Sequence, residues 1–241
     1  MNTSLDPGPR LAQAAERVSQ MRRAIAADDS LRAWTGALKQ WQARRLAQTH
    51  ADLLASPDTA AAARFFLDDL YGAKDFARRD AELIRLLPTM IRLLPARALA
   101  TVAGAVELDA LSEGLDEAIA RRLQAVAADA ITETAYAQAY RASATRAERE
   151  HQLDLVLGIG QSLEGLVRHP MIGRLLRAMA VPARLAGLAE MQDFLGRGFS
   201  AFGGMPSTAH FLAQIDQRER SIMARIFEGC DEGWITGAKT G

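Results

Sequence analysis

The sequence predicts an all-α fold of about eight helices packed as one unit. Three observations lead there. Apolar residues recur three and four positions apart along almost the whole chain, the period of a helix that buries one face. Ser, Thr, Pro and Gly interrupt that pattern where helices would start and stop. No stretch alternates apolar and polar residues in the manner of a strand.

The composition narrows the function. The chain has 241 residues, 49% hydrophobic and 24% charged, which is globular rather than disordered. Lys plus Arg and Asp plus Glu are both 29, so net charge gives no argument for nucleic acid, and no nucleic-acid partner is expected. The single cysteine, Cys230, excludes an internal disulfide and a Cys-based zinc site. The N-terminus lacks a basic segment followed by an apolar run. No stretch approaches the roughly 20 apolar residues of a membrane span. The expected setting is therefore cytoplasmic, without a transmembrane segment.

Residues 1–8 read as a loose tail. A first helix over 9–27 turns Leu11, Ala14 or Ala15, Val18, Met21 and Ile25 to one side. Ser30 can cap a second helix reaching about residue 55, with Leu31, Trp34, Leu38 and Trp41 as its packing stripe. His50, near its end, reads as a C-terminal cation or a half-buried ring. Ser56-Pro57-Asp58 starts a third helix, with Ser56 as N-cap and Pro57 in the first turn, and Gly72 suits its C′ position. A fourth begins near Asp75 and points Phe76, Leu83, Ile84, Leu87, Ile91 and Leu94 inward. Pro88 removes a hydrogen bond and should kink or break it. Arg78, Glu82, Arg85, Thr89 and Arg92 form its solvated face.

The corner between the third and fourth helices, 65–80, concentrates unusual chemistry. Asp80 falls on the apolar stripe, four residues after Phe76 and four before Ile84. An unpaired carboxylate buried there would cost several kcal/mol, so it should meet a cation. Asp69, Tyr71, Arg79 and Asp80 would make a polar pocket. The simpler reading is a buried ion pair that fixes the corner.

Pro95 begins a long helix over 96–140 with Leu108, Leu111, Leu115, Ile119, Leu123 and Val126 along one face. A second face is small, with Ala100, Ala103, Gly114 and Ala118, and Glu107 sits among these residues. Glu107 either joins the inward carboxylates of the pocket or snorkels out to water. Thr145 and Glu148 have capping-box spacing, so a helix starts there and continues to Val167.

That helix holds two imitations. Gly158-Ile-Gly160 resembles the opening of a dinucleotide site, but the next glycine, Gly165, is misplaced and no strand precedes it. Gly158 and Gly165 instead suggest close helix packing. Glu148 and His151 give one E-x-x-H without the second copy a di-metal centre needs. No metal and no cofactor is expected.

His169-Pro170 should break the chain direction. Arg168, Arg174, Arg177 and Arg184 follow with no acid between Glu164 and Glu190, beside Ile172, Leu175, Leu176 and Met179. Such a helix can contact an anion or an anionic membrane. The plainer alternatives are a solvated face or pairing with the acid-rich run 107–117. A helix from about Pro182 carries Leu185, Leu188, Met191, Leu195, Phe199 and Phe202, and Gly203-Gly204 stops it. Phe194, Phe199, Phe202 and Phe211 read as core. Ser207 caps a last helix ending at Phe227. The residues after Gly229 read as frayed, with Trp234 docking in part.

FFLDDLYG followed by DF-x-x-RD, and the later LAEMQDFLGRGFSAF, resemble signatures of an uncharacterised family of bacterial helical proteins of about this length. The resemblance spans most of the chain. It implies one helical domain, here 9–228, and carries no activity, cofactor or catalytic residue. The expectation is a non-catalytic binding or scaffold protein that acts through a protein partner, a second copy of itself or a small ligand. One alternative is an enzyme or sensor built on Asp69, Tyr71, Arg79, Asp80 and Glu107. The other is a peripheral binder of anionic membrane through 168–184.

Overall fold

A computed structural model of the chain describes residues 7–70, 77–93, 96–126 and 130–235. Among them are eleven α-helices, one π-helical turn and no strand. In chain order the helices are α1 (Pro7–Ala27), α2 (Asp29–Thr49), α3 (Ala51–Ala55), α4 (Ala60–Phe65), α5 (Ala77–Leu93), α6 (Ala96–Ala125), α7 (Glu133–Ser143), α8 (Arg146–Val167), α9 (Pro170–Leu185), α10 (Ala189–Gly203) and α11 (Thr208–Phe227). The π-helical turn, Phe66–Leu70, continues α4.

The all-α prediction holds and the count of about eight does not. The helix expected over 30–55 is interrupted at His50, whose φ of −111° and ψ of 28° are not helical. The start of α2 is capped by Asp28 rather than Ser30, its carboxylate accepting the Leu31 N–H at 3.0 Å. The helix expected over 96–140 divides into α6 and α7, and the Thr132 hydroxyl caps α7 by accepting the Ala135 N–H at 3.1 Å. Residues 57–59 form a turn, so α4 begins at Ala60 rather than at Pro57.

The prolines behave unequally. Pro170 opens α9, as expected, while Pro88 lies inside α5 without ending it. An interior proline costs about 3 kcal/mol. Leu87, fully buried, and Leu83, Ile84 and Ile91, partly buried, pack against Leu11, Leu99 and Val106; full burial of such a side chain returns about 1.5–3 kcal/mol and partial burial a share of it. Packing therefore outweighs the missing bond. Pro182 likewise sits within α9 rather than starting a new helix. The break comes at Gly187, whose φ of +68° suits glycine.

The central helix is α6, which packs on α1, α2, α7 and α8. Covered on several sides, it needs no single apolar stripe. Three clusters fill the interior. One joins Leu31 and Leu38 of α2, Ile119 and Leu123 of α6, Tyr136 of α7, Ile222 and Ile226 of α11, and Trp234. A second joins Leu53, Phe65, Phe202, Phe211 and Leu212. The third holds α1 and α5 against the first half of α6. Trp41 stacks on Tyr136 with ring centroids 4.4 Å apart, so the tryptophans of α2 serve packing.

The close approach of α8 falls on a different glycine from those expected. Gly158 and Gly165 have open space where a Cβ would stand, while a Cβ on Gly160 would meet Leu212 Cδ2 at 2.6 Å. Leu212 is itself buried and cannot swing aside cheaply. Gly160→Ala is expected to lose about 1–3 kcal/mol. Gly158→Ala, at an open helical position, should gain up to about 1 kcal/mol. Opposite shifts of the urea midpoint would show this, and equal shifts would refute the assignment.

The expected solvated face of α5 is partly a docking face. Glu82 is buried, and its carboxylate accepts the Met191 N–H at 2.9 Å, near the start of α10. That helix has Leu188 at its N-cap, with no side-chain cap of its own. One turn along, Arg85 donates to the carbonyls of Ala186 and Gly187, both at 2.7 Å, just past the end of α9. A single helix face thus satisfies free backbone groups at two helix ends.

Candidate functional site

Of the proposed corner pocket, Tyr71 lies outside the described residues, and so do the side chains of Asp69, Arg79 and Asp80. The described half of the corner is core: Phe65 lies 5.4 Å from Phe194 and Phe66 5.9 Å from Phe211, centroid to centroid. Glu107 does not face inward. It is exposed on α6 and meets His151 Nε2 at 3.1 Å. Its neighbours on the small face do let α1 approach, since Met21 reaches to 3.4 Å of where a Gly114 Cβ would be.

The buried charges lie elsewhere. Arg45, one turn from the end of α2, donates to both oxygens of Glu219 on α11, at 2.7 and 2.6 Å. His50 Nε2 lies 2.9 Å from the same carboxylate. All three side chains are about nine-tenths buried, at 9–11% exposure. Burial alone would raise the carboxyl pKa of Glu219, but Arg45 and His50 hold it down at about 2. The carboxylate is ionised and only accepts, so His50 must carry its proton on Nε2. Beside the pair, Trp41, Arg44, Arg45, Gln48, Glu133 and Ile235 line a cleft of about 170 Å³.

A second cluster joins α1, α2 and α6. Glu113 is 4% exposed and accepts from Arg22 Nε at 3.1 Å and Lys39 Nζ at 3.0 Å. Arg22 also reaches Asp109 at 2.7 Å. Next to them Asp116 accepts from Gln42 at 2.9 Å; burial raises its pKa, and Lys39 and Gln42 pull it back. The acid-rich run of α6 is therefore spent on α1, α2, α8 and, through Glu117 and Arg121, on α6 itself rather than on the arginines of α9. Glu219, Glu113 and Asp109 are held by cations and Asp116 by the Gln42 amide, which suits joining helices better than proton transfer. Among the described residues no three His, Cys, Asp or Glu come together as a metal site.

The least expected surface is α9. Its buried positions carry small residues, Gly173 and Ala183. A Cβ on Gly173 would meet the Phe199 ring at 2.9 Å, so the small residue is what allows α10 to pack there. Of the four residues read as one apolar face, Ile172 and Leu176 are half-buried, whereas Leu175 and Met179 face solvent. Met171 is 63% exposed, Leu175 58%, Val181 67% and Leu185 85%. Met171, Leu175, Ala178, Pro182 and Leu185 follow steps of four and three residues, one line along the helix. The four arginines are exposed. Arg168 pairs with Glu164 at 2.6 Å and Arg184 with Asp193 at 2.8 Å. Arg174 and Arg177 have no acidic partner among the described residues. No described helix is long and apolar enough to cross a membrane.

Sequence reasoning missed the ionic clusters, although periodicity could have found them. Arg45 follows Leu31 and Leu38 at steps of seven, and Glu113 lies between Val106 and Ala120 at the same step. Glu219 stands four after Ile215 and three before Ile222. A charge at a core position of a helix announces a partner, though not which one.

Comparison with known proteins agrees with the resemblance carried by the two motifs. A family model described as "Domain of unknown function (DUF8198)" matches residues 21–233, which include both ionic clusters and α9. No curated protein and no solved structure matches the chain. The chain belongs to the DUF8198 family, an uncharacterised domain family.

Proposed function

We propose that this is a non-catalytic helical binding protein that docks its partner on the outer face of α9. One observation carries the reading: the fully buried positions of α9 are the small residues Gly173 and Ala183, while the large Met171, Leu175, Val181 and Leu185 face solvent. An ordinary surface helix does the reverse. The exposed line of Met171, Leu175 and Leu185, with Val181 beside it, marks a contact surface. The ionic clusters support the same reading, because their carboxylates are already occupied in joining helices.

The test is a photo-crosslinking amino acid placed at Leu175 in the producing cell, with Arg17 on the exposed side of α1 as control. An adduct at position 175, with protein or with lipid, and only background at 17 is the expected result. Equal background at both positions would sink the proposal. Leu175→Glu combined with Leu185→Glu should leave folding stability within about 0.5 kcal/mol, since both side chains already face water.

A further inference from the structure

We infer that the partner of α9 is an anionic lipid surface, an assignment that rests on the docking reading above. Three features point to it. The first is the composition of the face. From Pro170 to Ala186 the only polar side chains are arginines, with no Ser, Thr, Asn, Gln, Asp or Glu among them. Protein interfaces combine Met and Arg with aromatic anchors and neutral hydrogen-bonding groups, and α9 offers the first two without the others. A bilayer interface asks only for apolar side chains that enter the headgroup boundary and cations that meet phosphate.

The second feature is charge. Arg174 and Arg177 lie beside the line of Met171, Leu175, Ala178 and Leu185, and both are exposed without an acidic partner among the described residues. Their aliphatic stems can lie along the apolar line while the guanidinium groups reach phosphate oxygens. Arg168 and Arg184, tied to Glu164 and Asp193, flank the surface without adding much free charge. The third feature argues against a second copy of this chain, because α9 brings no carboxylate of its own to meet Arg174 and Arg177 of another copy. Shape fits as well, because the apolar line from Met171 to Leu185 extends about 21 Å along one helix and can lie flat on a bilayer.

The experiment is co-sedimentation of the full chain with vesicles of phosphatidylcholine, with and without phosphatidylglycerol. Binding is expected only when phosphatidylglycerol is present, and it should weaken as salt shortens the Debye length. Arg174→Gln with Arg177→Gln should reduce partitioning roughly thirty-fold. Leu175→Asp should reduce it separately, at unchanged salt dependence. Unaltered circular-dichroism melting of each variant shows that the fold is kept. No binding to either vesicle at low salt would overturn the assignment, as would binding that ignores these substitutions. In that event a protein adduct at position 175 would leave the docking reading standing and direct the search to an acidic helix. Background labelling at 175 would remove both.

Discussion

Glu219→Gln is expected to lower the folding free energy by about 3–5 kcal/mol, because it leaves Arg45 buried with its charge uncompensated. The substitution keeps the shape of the side chain, so packing loss cannot account for the result. Arg45 and Glu219 are each about nine-tenths buried, and their contacts of 2.6–2.7 Å leave no room for water to take the place of the carboxylate. Arg45→Met combined with Glu219→Leu should recover most of the loss, since removing both charges also removes the cost of burying them. A single substitution that is neutral would mean that the pair is solvated.

Acid provides an independent check on the same group. Glu219 titrates at about 2 in the fold against an ordinary 4.5. A carboxylate whose pKa is depressed stabilises the fold above the unfolded value. That stabilisation is lost as pH falls from about 5 towards 2. Asp52, held at about 2 by a hydrogen bond from Arg218, adds in the same direction but stands exposed. The stability of Glu219→Gln should therefore change less over this window than that of the parent, as denaturant midpoints measured at each pH would show.

Trp234→Ala should be equally damaging, at about 3–5 kcal/mol. The ring is fully buried, with centroids 6.0 Å from Trp41 and 5.7 Å from Tyr136, and its Nε1 donates to the Asp231 carbonyl at 3.2 Å. Within the tail expected to fray, residues 230–235 are stapled to α7. Arg141 reaches Asp231 at 2.6 Å, Gln138 donates to the same carboxylate, and Gly233 N–H donates to Glu133 at 2.8 Å. Gly229 and Gly233, at φ of +97° and +71°, turn the chain back onto the helix. A chain ending at residue 228 should lose at least as much as Trp234→Ala. Equal melting temperatures for the shortened and full chains would show that the segment contributes nothing.

The helix ends that local chemistry dictates were legible. Thr145 and Glu148 form the reciprocal capping box, Ser207 caps α11, and Pro170 opens α9. Each needs only residues within one turn of one another. The break at His50 was not legible, because nothing local requires it and the ring is drawn to a carboxylate on α11. The solvated reading of Glu82 failed for the same reason: its partner, the Met191 N–H, lies 109 residues away.

Helicity, and the starts of helices such as α6, α8 and α11, are written in the sequence alone, whereas the core charges Arg45, Glu113 and Glu219 passed unread although helical period marks their positions. Helical period and capping act over three to seven residues, so one strand of text contains them. Which charge meets which is fixed by folding alone, since Arg45 and Glu219 are 174 residues apart. Folding also decides which side of α9 faces water. Large apolar residues stand on its inner side (Ile172, Leu176) and on its outer side (Leu175, Leu185) alike, so apolar periodicity does not choose between them. The fit of Phe199 against Gly173 turns Leu175 and Leu185 outward.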